Sequence, residues 1–364
     1  MDRQMIRIGL AGTGLMAATM LPALEATSGV QVVAVASHSL QRSRLFGQTY
    51  GIADAYGSLE PMLEDGSIDA IYVANRTVDH AKTSIAALTA GKAVLCEKPF
   101  AVTAQEGENV LLAARESRQL FMEGMWTHML PSHRRFIALA HSGEFGEPRH
   151  LYCDFGYPTD ASTLPRLFSP QGGGVLLDRG GYLISLALDL LGPVKNVDAA
   201  LLMSDAGVDL HASLQLLHES GGHSQLSMSL VTLLSNSAIA ACPEGIMRLA
   251  APLVGSETIT VQRMTTTPGR TAHTMAPSHK QRLMARLKRS SMLRRLKRSL
   301  SAERAEYHSY GINPYVSMLE HFRDLILNGR SESDLMPPTL SLETIRIIEL
   351  GRATDKKLTC RNSS

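Results

Sequence analysis

The sequence contains no paired cysteines: Cys96, Cys153, Cys242 and Cys360 are far apart, without the short spacings that a metal site or a disulfide framework needs. They are expected to be reduced thiols of a cytoplasmic protein. An uncharged apolar run of the roughly 18–20 residues needed to cross a bilayer is also absent. Met1 to Leu10 leads into a strand rather than into a basic stretch, an apolar core and a small-residue cleavage site, so no signal peptide is expected. Excess charge is lacking too: 36 Lys and Arg against 34 Asp and Glu leave +2, which gives no global pull toward nucleic acid or an anionic membrane. The 13 histidines are scattered, with neither an H-x-x-x-H pair nor a carboxylate cluster beside them, and no metal is expected.

What is present is enough apolar material, 44% of 364 residues, for two cores. Met5 to Leu10 reads as a strand that runs into Gly12-Thr13-Gly14-Leu15-Met16-Ala17 and then a helix. Val30 to Ser37, Ile68 to Ala74, Ala93 to Cys96 and Leu120 to Glu123 read as further strands. The segments 41–50, 79–90 and 103–117 read as the helices between them. Strands alternating with helices predict a doubly wound parallel sheet over residues 1–125. From residue 126 to 364 the texture changes. A helix near 131–142, a strand over 149–156 and a helix over 180–191 are followed by strands at 212–217 and 224–230. The last two flank Glu219-Ser-Gly-Gly222 as a hairpin. The fold class expected is therefore α/β: a Rossmann-type N-terminal domain joined to a C-terminal α+β domain with an open, mostly antiparallel sheet.

Gly12, Gly14 and Ala17 form G-x-G-x-x-A. Gly12 permits a tight turn, Gly14 lets backbone approach a pyrophosphate and Ala17 lets helix and strand pack closely, with the helix N-terminus facing the phosphates. Alone the motif is weak; its place between strand and helix predicts a bound dinucleotide. An NAD-binding chain usually carries an acid at the end of the second strand, but Ser37 and His38 stand there. Ser37 as a donor, with His38, Arg42 or Arg44 as positive charge, favours NADP over NAD, unless Arg42 and Arg44 are an ordinary solvated helix face.

Gly91-Lys-Ala-Val-Leu-Cys-Glu-Lys-Pro99 resembles the E-K-P signature of the glucose-fructose oxidoreductase and inositol dehydrogenase (Gfo/Idh/MocA) family. Together with the glycine turn, Phe121-Met-Glu-Gly-Met-Trp126, Arg166-Leu-Phe and Gly172-Gly-Gly-Val-Leu-Leu-Asp178-Arg-Gly-Gly-Tyr182, the chain looks most like its dihydrodiol dehydrogenase branch. The resemblance implies that Lys98 lies beside the nicotinamide and the reacting carbon and that Glu97 supports its loop. It also implies that Asp178 and Tyr182, from a D-x-G-x-H pattern with tyrosine in the histidine position, complete the catalytic set. Asn75 and His80 would be further cofactor contacts, in a turn where Asn75-Arg76-Thr77 departs from the family's usual T-P-N. Trp126, His128 and Arg166 would contact substrate, with His128 where the branch usually has arginine. The face of the C-terminal sheet would mediate association into a homo-oligomer, a dimer or tetramer.

Hydride transfer to or from a secondary alcohol also moves a proton. Tyr182 could exchange it if the Lys98 ammonium lowers its pKa, or Lys98 could carry it. Taken singly, the three residues are equally a surface lysine, an N-capping aspartate and a core tyrosine. The activity expected is that of an enzyme acting with NADP on a sugar, polyol or cyclic diol. The alternative is a non-catalytic NADP sensor acting through a protein partner. A stretch at 280–304, inside an insertion near 278–304, is dense in Lys and Arg with Glu303 as its only acid, and its leucines recur at helical spacing. It reads as a solvated basic helix, or as one that meets an anionic membrane or an acidic partner; nucleic acid is not expected.

Overall fold

The computed structural model describes residues 5–264 and 304–354. Six parallel strands form the first sheet in the order β3-β2-β1-β4-β5-β6. They are β1 Ile6–Ala11, β2 Val30–Ala36, β3 Asp54–Tyr56, β4 Ala70–Val73, β5 Ala93–Cys96 and β6 Phe121–Glu123. The central strands are buried along their length, as expected of a sheet covered on both faces. Helices α1 Leu15–Ala26, α2 Leu40–Tyr50, α3 Glu60–Glu64, α4 His80–Thr89 and α5 Ala104–Ser117 make the crossovers. Strand order reverses between β1 and β4, which opens a crevice above their carboxyl ends.

The second sheet has eight strands in the order β14-β13-β12-β11-β7-β10-β9-β8. These are β7 His150–Gly156, β8 Val194–Met203, β9 Asp209–His218, β10 His223–Ser229, β11 Ala238–Cys242, β12 Gly245–Leu249, β13 Thr258–Arg263 and β14 Arg304–Tyr307. The predicted hairpin is present, with Leu216 opposite Ser224 across β9 and β10. One pair, β7 with β10, is parallel, so the sheet is mixed and mostly antiparallel. Helices α6 Pro131–Ala140 and α7 Gly181–Leu191 cover one face, and Leu183, Ile184 and Leu191 meet Leu214, Leu226 and Met247 in a common core.

The last two described helices, α8 Val316–Leu327 and α9 Pro338–Thr354, have no counterpart in the sequence reading. Met318, Leu319 and Phe322 of α8 share a core with Ile6, Met20 and Leu24 of the first sheet and its helix. On α9, Ile345 packs with Phe100 and Leu111, while Ile347 and Ile348 join the core of the second sheet. These two helices thus tie both sheets together. No described helix is long and apolar enough to cross a membrane. Cys96 and Cys153 are buried and Cys242 partly so, all as free thiols.

Two predictions follow from this packing. Phe322 is 1% exposed, so Phe322→Ala should cost about 3–5 kcal/mol in urea unfolding, the usual cost of emptying an aromatic core site. His133 donates to the Leu253 carbonyl at 3.0 Å, yet burial, with the nearby charge of His128, holds its pKa down to about 4. The unfolded chain, with a histidine pKa of about 6.5, therefore binds the proton first as pH falls. Stability from this residue is complete above that value and is lost between it and about 4. His133→Gln should flatten the stability–pH curve in that window.

Candidate active site

Gly12 has φ +127°, and a Cβ there would lie 2.6 Å from the Ala74 carbonyl oxygen. Only glycine lets the β1–α1 turn pass so close to the end of β4. Gly14 caps α1 without any side-chain bond, and α1 has no acid in its first turn. The N–H groups of its first turn, at Leu15, Met16 and Ala17, therefore point unpartnered toward the crevice with the positive end of the helix dipole. Opposite them, Asn75 gives its amide to the Thr83 hydroxyl at 2.7 Å, while its carbonyl oxygen is buried with no partner. A backbone cradle, a free helix N-terminus and an orphaned polar atom at its wall together fit a dinucleotide.

At the end of β2 the Ser37 hydroxyl donates to the Ser39 carbonyl at 2.9 Å, and Ser39 in turn caps α2 by accepting from the Arg42 N–H. The hydrogen of Ser37 is thus spent on the local turn. His38, Arg42 and Arg44 are exposed around it. His80 is buried on the other side of the crevice, where its Nδ1 donates to the Pro99 carbonyl at 2.8 Å and ties the Asn75 turn to the loop that carries Lys98.

Lys98 follows β5. Its ammonium donates to the Asp178 carbonyl at 2.6 Å and to Asp178 Oδ1 at 3.2 Å, and it lies 4.8 Å from the centre of the Tyr182 ring. Lys98 of the E-K-P motif is thereby brought together with Asp178 and Tyr182 of the D-x-G motif, although it lies 80 positions from Asp178 in sequence. Glu97 supports the loop as expected, accepting from the Tyr72 hydroxyl at 2.6 Å and from the Lys98 N–H at 3.3 Å. Glu123, inside the Phe121–Trp126 stretch, holds the same loop two residues beyond Lys98 by accepting from the Phe100 N–H.

Asp178 sits in one π-helical turn, Leu176–Gly180, which leads directly into α7 and Tyr182. The triple glycine before it makes that turn possible. Gly174 has φ +99°, and a Cβ there would overlap Asp209 Oδ1. Buried Asp209 pins the turn by accepting from the Leu176 N–H at 2.7 Å and from Arg352 of α9 at 2.8 Å. Tyr182 accepts from the Trp126 indole N–H at 3.2 Å, with Phe155 edge-on to its ring at 5.7 Å. Tyr315, from the segment just before α8, packs against Trp126 at 4.9 Å. The sequence reading missed Tyr315, because no periodic or motif signal surrounds it.

Charge in the cluster follows from burial and pairing. Burial opposes the ammonium of Lys98, but Asp178, Tyr182 and Glu97 outweigh it and raise its pKa well above the ordinary lysine range. Burial also opposes the Asp178 carboxylate, and Lys98 with Arg166 outweighs it and keeps the group ionised. For Tyr182 the balance goes the other way: burial raises its pKa, and the opposing effect of Lys98 is too weak to reverse this. The expectation of a Tyr182 with lowered pKa is therefore corrected: the Lys98 ammonium is already committed to Asp178, and the phenol stays protonated.

The predicted substrate contacts separate. Trp126 is in the cluster, and Arg166 stands exposed beside it, its charge helping Lys98 to keep the Asp178 carboxylate ionised. His128 is turned away to Ser185 at 3.0 Å and Asp189 at 3.6 Å, on the wall of a separate cavity of about 330 Å³ that His133 and Ile137 also line. The basic stretch at 280–304 lies outside the described residues, apart from Arg304, which pairs with Glu306. Among the described residues no group of three or more His, Cys, Asp or Glu side chains is placed to hold a metal.

Comparison with known proteins agrees with this architecture. Residues 6–125 match the oxidoreductase family with an NAD-binding Rossmann fold, and residues 133–248 match the Gfo/Idh/MocA C-terminal domain. The trans-1,2-dihydrobenzene-1,2-diol dehydrogenase of Mus musculus is 33% identical over 256 residues, which is 68% of this chain and 76% of that protein. The Homo sapiens protein of the same name is 31% identical over 252 residues, 68% of this chain and 75% of its own length. A solved 3-ketoreductase from Actinomadura kijaniata, in complex with NADP and TDP-benzene, superposes with a TM-score of 0.78 at 24% identity, covering 97% of this chain and 98% of that one. The aldose-aldose oxidoreductase of Caulobacter crescentus gives 0.77 at 22% identity over 96% of this chain and 98% of that one. With both halves of the chain matched and the E-K-P lysine set against its aspartate and tyrosine in the crevice, the protein belongs to the Gfo/Idh/MocA family of NAD(P)-dependent oxidoreductases that act on CH–OH groups.

Proposed function

We propose that this chain uses NADP to interconvert a secondary alcohol and its ketone on a sugar, polyol or cyclic diol, with Lys98, Asp178 and Tyr182 as its catalytic residues. The observation that carries the reading is the Lys98 ammonium held at once by Asp178 and over the Tyr182 ring beneath the dinucleotide crevice. The relatives' names support the substrate class, since they are a dihydrodiol dehydrogenase, a 3-ketoreductase and an aldose-aldose oxidoreductase.

The first-turn N–H groups of α1, together with Thr13, would hold the pyrophosphate, and Asn75 and His80 would line the cofactor's path toward Lys98. Absence of an acid at the end of β2, with His38, Arg42 and Arg44 exposed there, favours a ribose 2′-phosphate and therefore NADP. The cofactor supplies hydride chemistry; the chain's own residues handle the proton and the charge. Because Trp126 donates to the Tyr182 oxygen, the phenol's hydrogen is left free for a substrate oxygen. When it leaves, the phenolate forms beside the Lys98 ammonium, which offsets the new charge in a site with little water. Asp178 keeps Lys98 fixed and charged. Trp126 and Arg166 flank the space a substrate would take, and His128 would act on it only from behind α7. The uncovered face of the second sheet, where Tyr152 is 46% exposed beside His150 and His223, is the surface through which a homo-oligomer would form.

The decisive test titrates the protein with NADPH and NADH and assays it with a panel of sugars, inositols, diols and the matching ketones. NADPH should bind more tightly than NADH, and Lys98→Met should keep that binding while losing on the order of 10²–10⁴-fold in turnover. Gly12→Ala should abolish binding of both nucleotides. Reduction should be insensitive to pH between the ordinary aspartate and tyrosine values, about 4 and about 10, because Asp178 is shifted below the first and Tyr182 above the second. Tight binding without turnover of any alcohol or ketone would shift the reading to a cofactor sensor, and failure to bind either nucleotide would remove it.

A further inference from the structure

The D-x-G pattern leaves its middle position open, and in this chain that position is Arg179. A charged side chain there is expected on the surface, yet Arg179 is only 5% exposed. Its guanidinium donates to the Tyr157 carbonyl at 3.0 Å, to the Ser229 carbonyl and to the Thr159 hydroxyl at 2.8 Å. These acceptors lie at the exits of β7 and β10, the two central strands that run parallel. Its Nε is 3.7 Å from Asp178 Oδ2, the oxygen that Lys98 does not take. Its planar head also rests 5.2 Å from the centre of Phe155, whose ring in turn packs edge-on against Tyr182.

We propose that Arg179 is a positioning residue for the reaction: anchored to the ends of β7 and β10, it fixes the carboxylate of Asp178 so that one oxygen faces Lys98, and through Phe155 it fixes the ring of Tyr182. Burying an arginine is costly unless its donors are satisfied, and here backbone carbonyls satisfy them, so the group is held rigidly and is not merely neutralised. Three cations face Asp178: Lys98 from the β5 loop, Arg166 from the turn at Pro165–Phe168 and Arg179 from its own turn; Tyr182 faces it from α7. Of the cations, Arg179 is the one tied to the second sheet, so it sets where the carboxylate sits. An aliphatic residue at this position would fill the same space but leave Asp178 free to rotate and easier to protonate.

This inference rests on the catalytic reading of Asp178 and Tyr182, but its test does not need a substrate. Trp126 is the only tryptophan in the chain and is bonded to Tyr182, so its emission reports on the cluster. Acid titration of that emission, with circular dichroism to confirm an intact fold, should give a transition below the ordinary carboxylate value of about 4 that Asp178→Asn removes. In Arg179→Met the midpoint should rise by about one unit or more, a tenfold change in proton affinity, and Arg179→Lys should bring it back toward the native value. Arg179→Gln, which keeps hydrogen bonding without charge, should show the same rise and serves if the methionine variant does not fold. With an active substrate, Arg179→Met should lower kcat about tenfold or more, move the acid limb of the pH profile up by the same interval and leave the NADPH Kd unchanged. An unchanged midpoint and acid limb in the folded neutral variants, with only Tm reduced, would overturn the proposal. Absence of turnover in the native protein would instead count against the proposed function, and the Trp126 titration would still decide the role of Arg179.

Discussion

A buried ammonium must be compensated, and the Lys98–Asp178 pair is the contact around which the rest of this molecule is arranged. The two side chains are 15% and 18% exposed, too little for water to solvate either charge alone. Each partner comes from a different sheet: Lys98 leaves β5 of the parallel sheet, and Asp178 leads into the helix that covers the mixed one. Placing them at 3.2 Å therefore fixes the relation of the two halves. Removing one charge would leave the other buried and unpaired, which costs several kcal/mol in typical cases.

Much of the surrounding structure serves this placement. The Gly172–Gly174 turn and the Asp209–Arg352 pair hold the π-helical turn of Asp178, and through Arg352 helix α9 reaches the site. Glu97 and Glu123 hold the Lys98 loop from inside the first domain. Trp126 then joins the β6 exit to α7 through its hydrogen bond to Tyr182 and to α8 through its tilted contact with Tyr315. In the proposed reading, hydride chemistry needs a fixed proton source beside the cofactor, and Tyr182, held by these contacts, would be that source.

The parts legible in sequence were those written in local pattern. Five strands of the first sheet could be read because each is a short apolar run bounded by a turn, whereas β3, three residues with an exposed aspartate, carries no such run and was missed; Gly12 is demanded by its own backbone. Lys98, Asp178 and Tyr182 were reached through motif resemblance, and the structure brings them together. The unread parts depend on contacts that have no local pattern. Helix α9 is buried on several sides, at Leu342, Thr344, Ile345, Ile347 and Ile348, so it shows no single apolar stripe. The parallel pairing of β7 with β10 depends on register across the whole chain between Gly156 and His223, which periodicity does not encode. Arg179 looks like a surface residue until the carbonyls that receive it are known. The direction of the Tyr182 shift was misjudged because sequence shows that Lys98 is near, but not that Asp178 has already engaged it.

The most direct measurement is a crystal structure of the protein soaked with NADPH. The account predicts the pyrophosphate on the N-terminus of α1 at Gly12–Met16 and the nicotinamide ring against Lys98, with its reactive face open toward the Tyr182 hydroxyl. A dinucleotide bound elsewhere, or bound with its nicotinamide turned away from Lys98 and Tyr182, would contradict it.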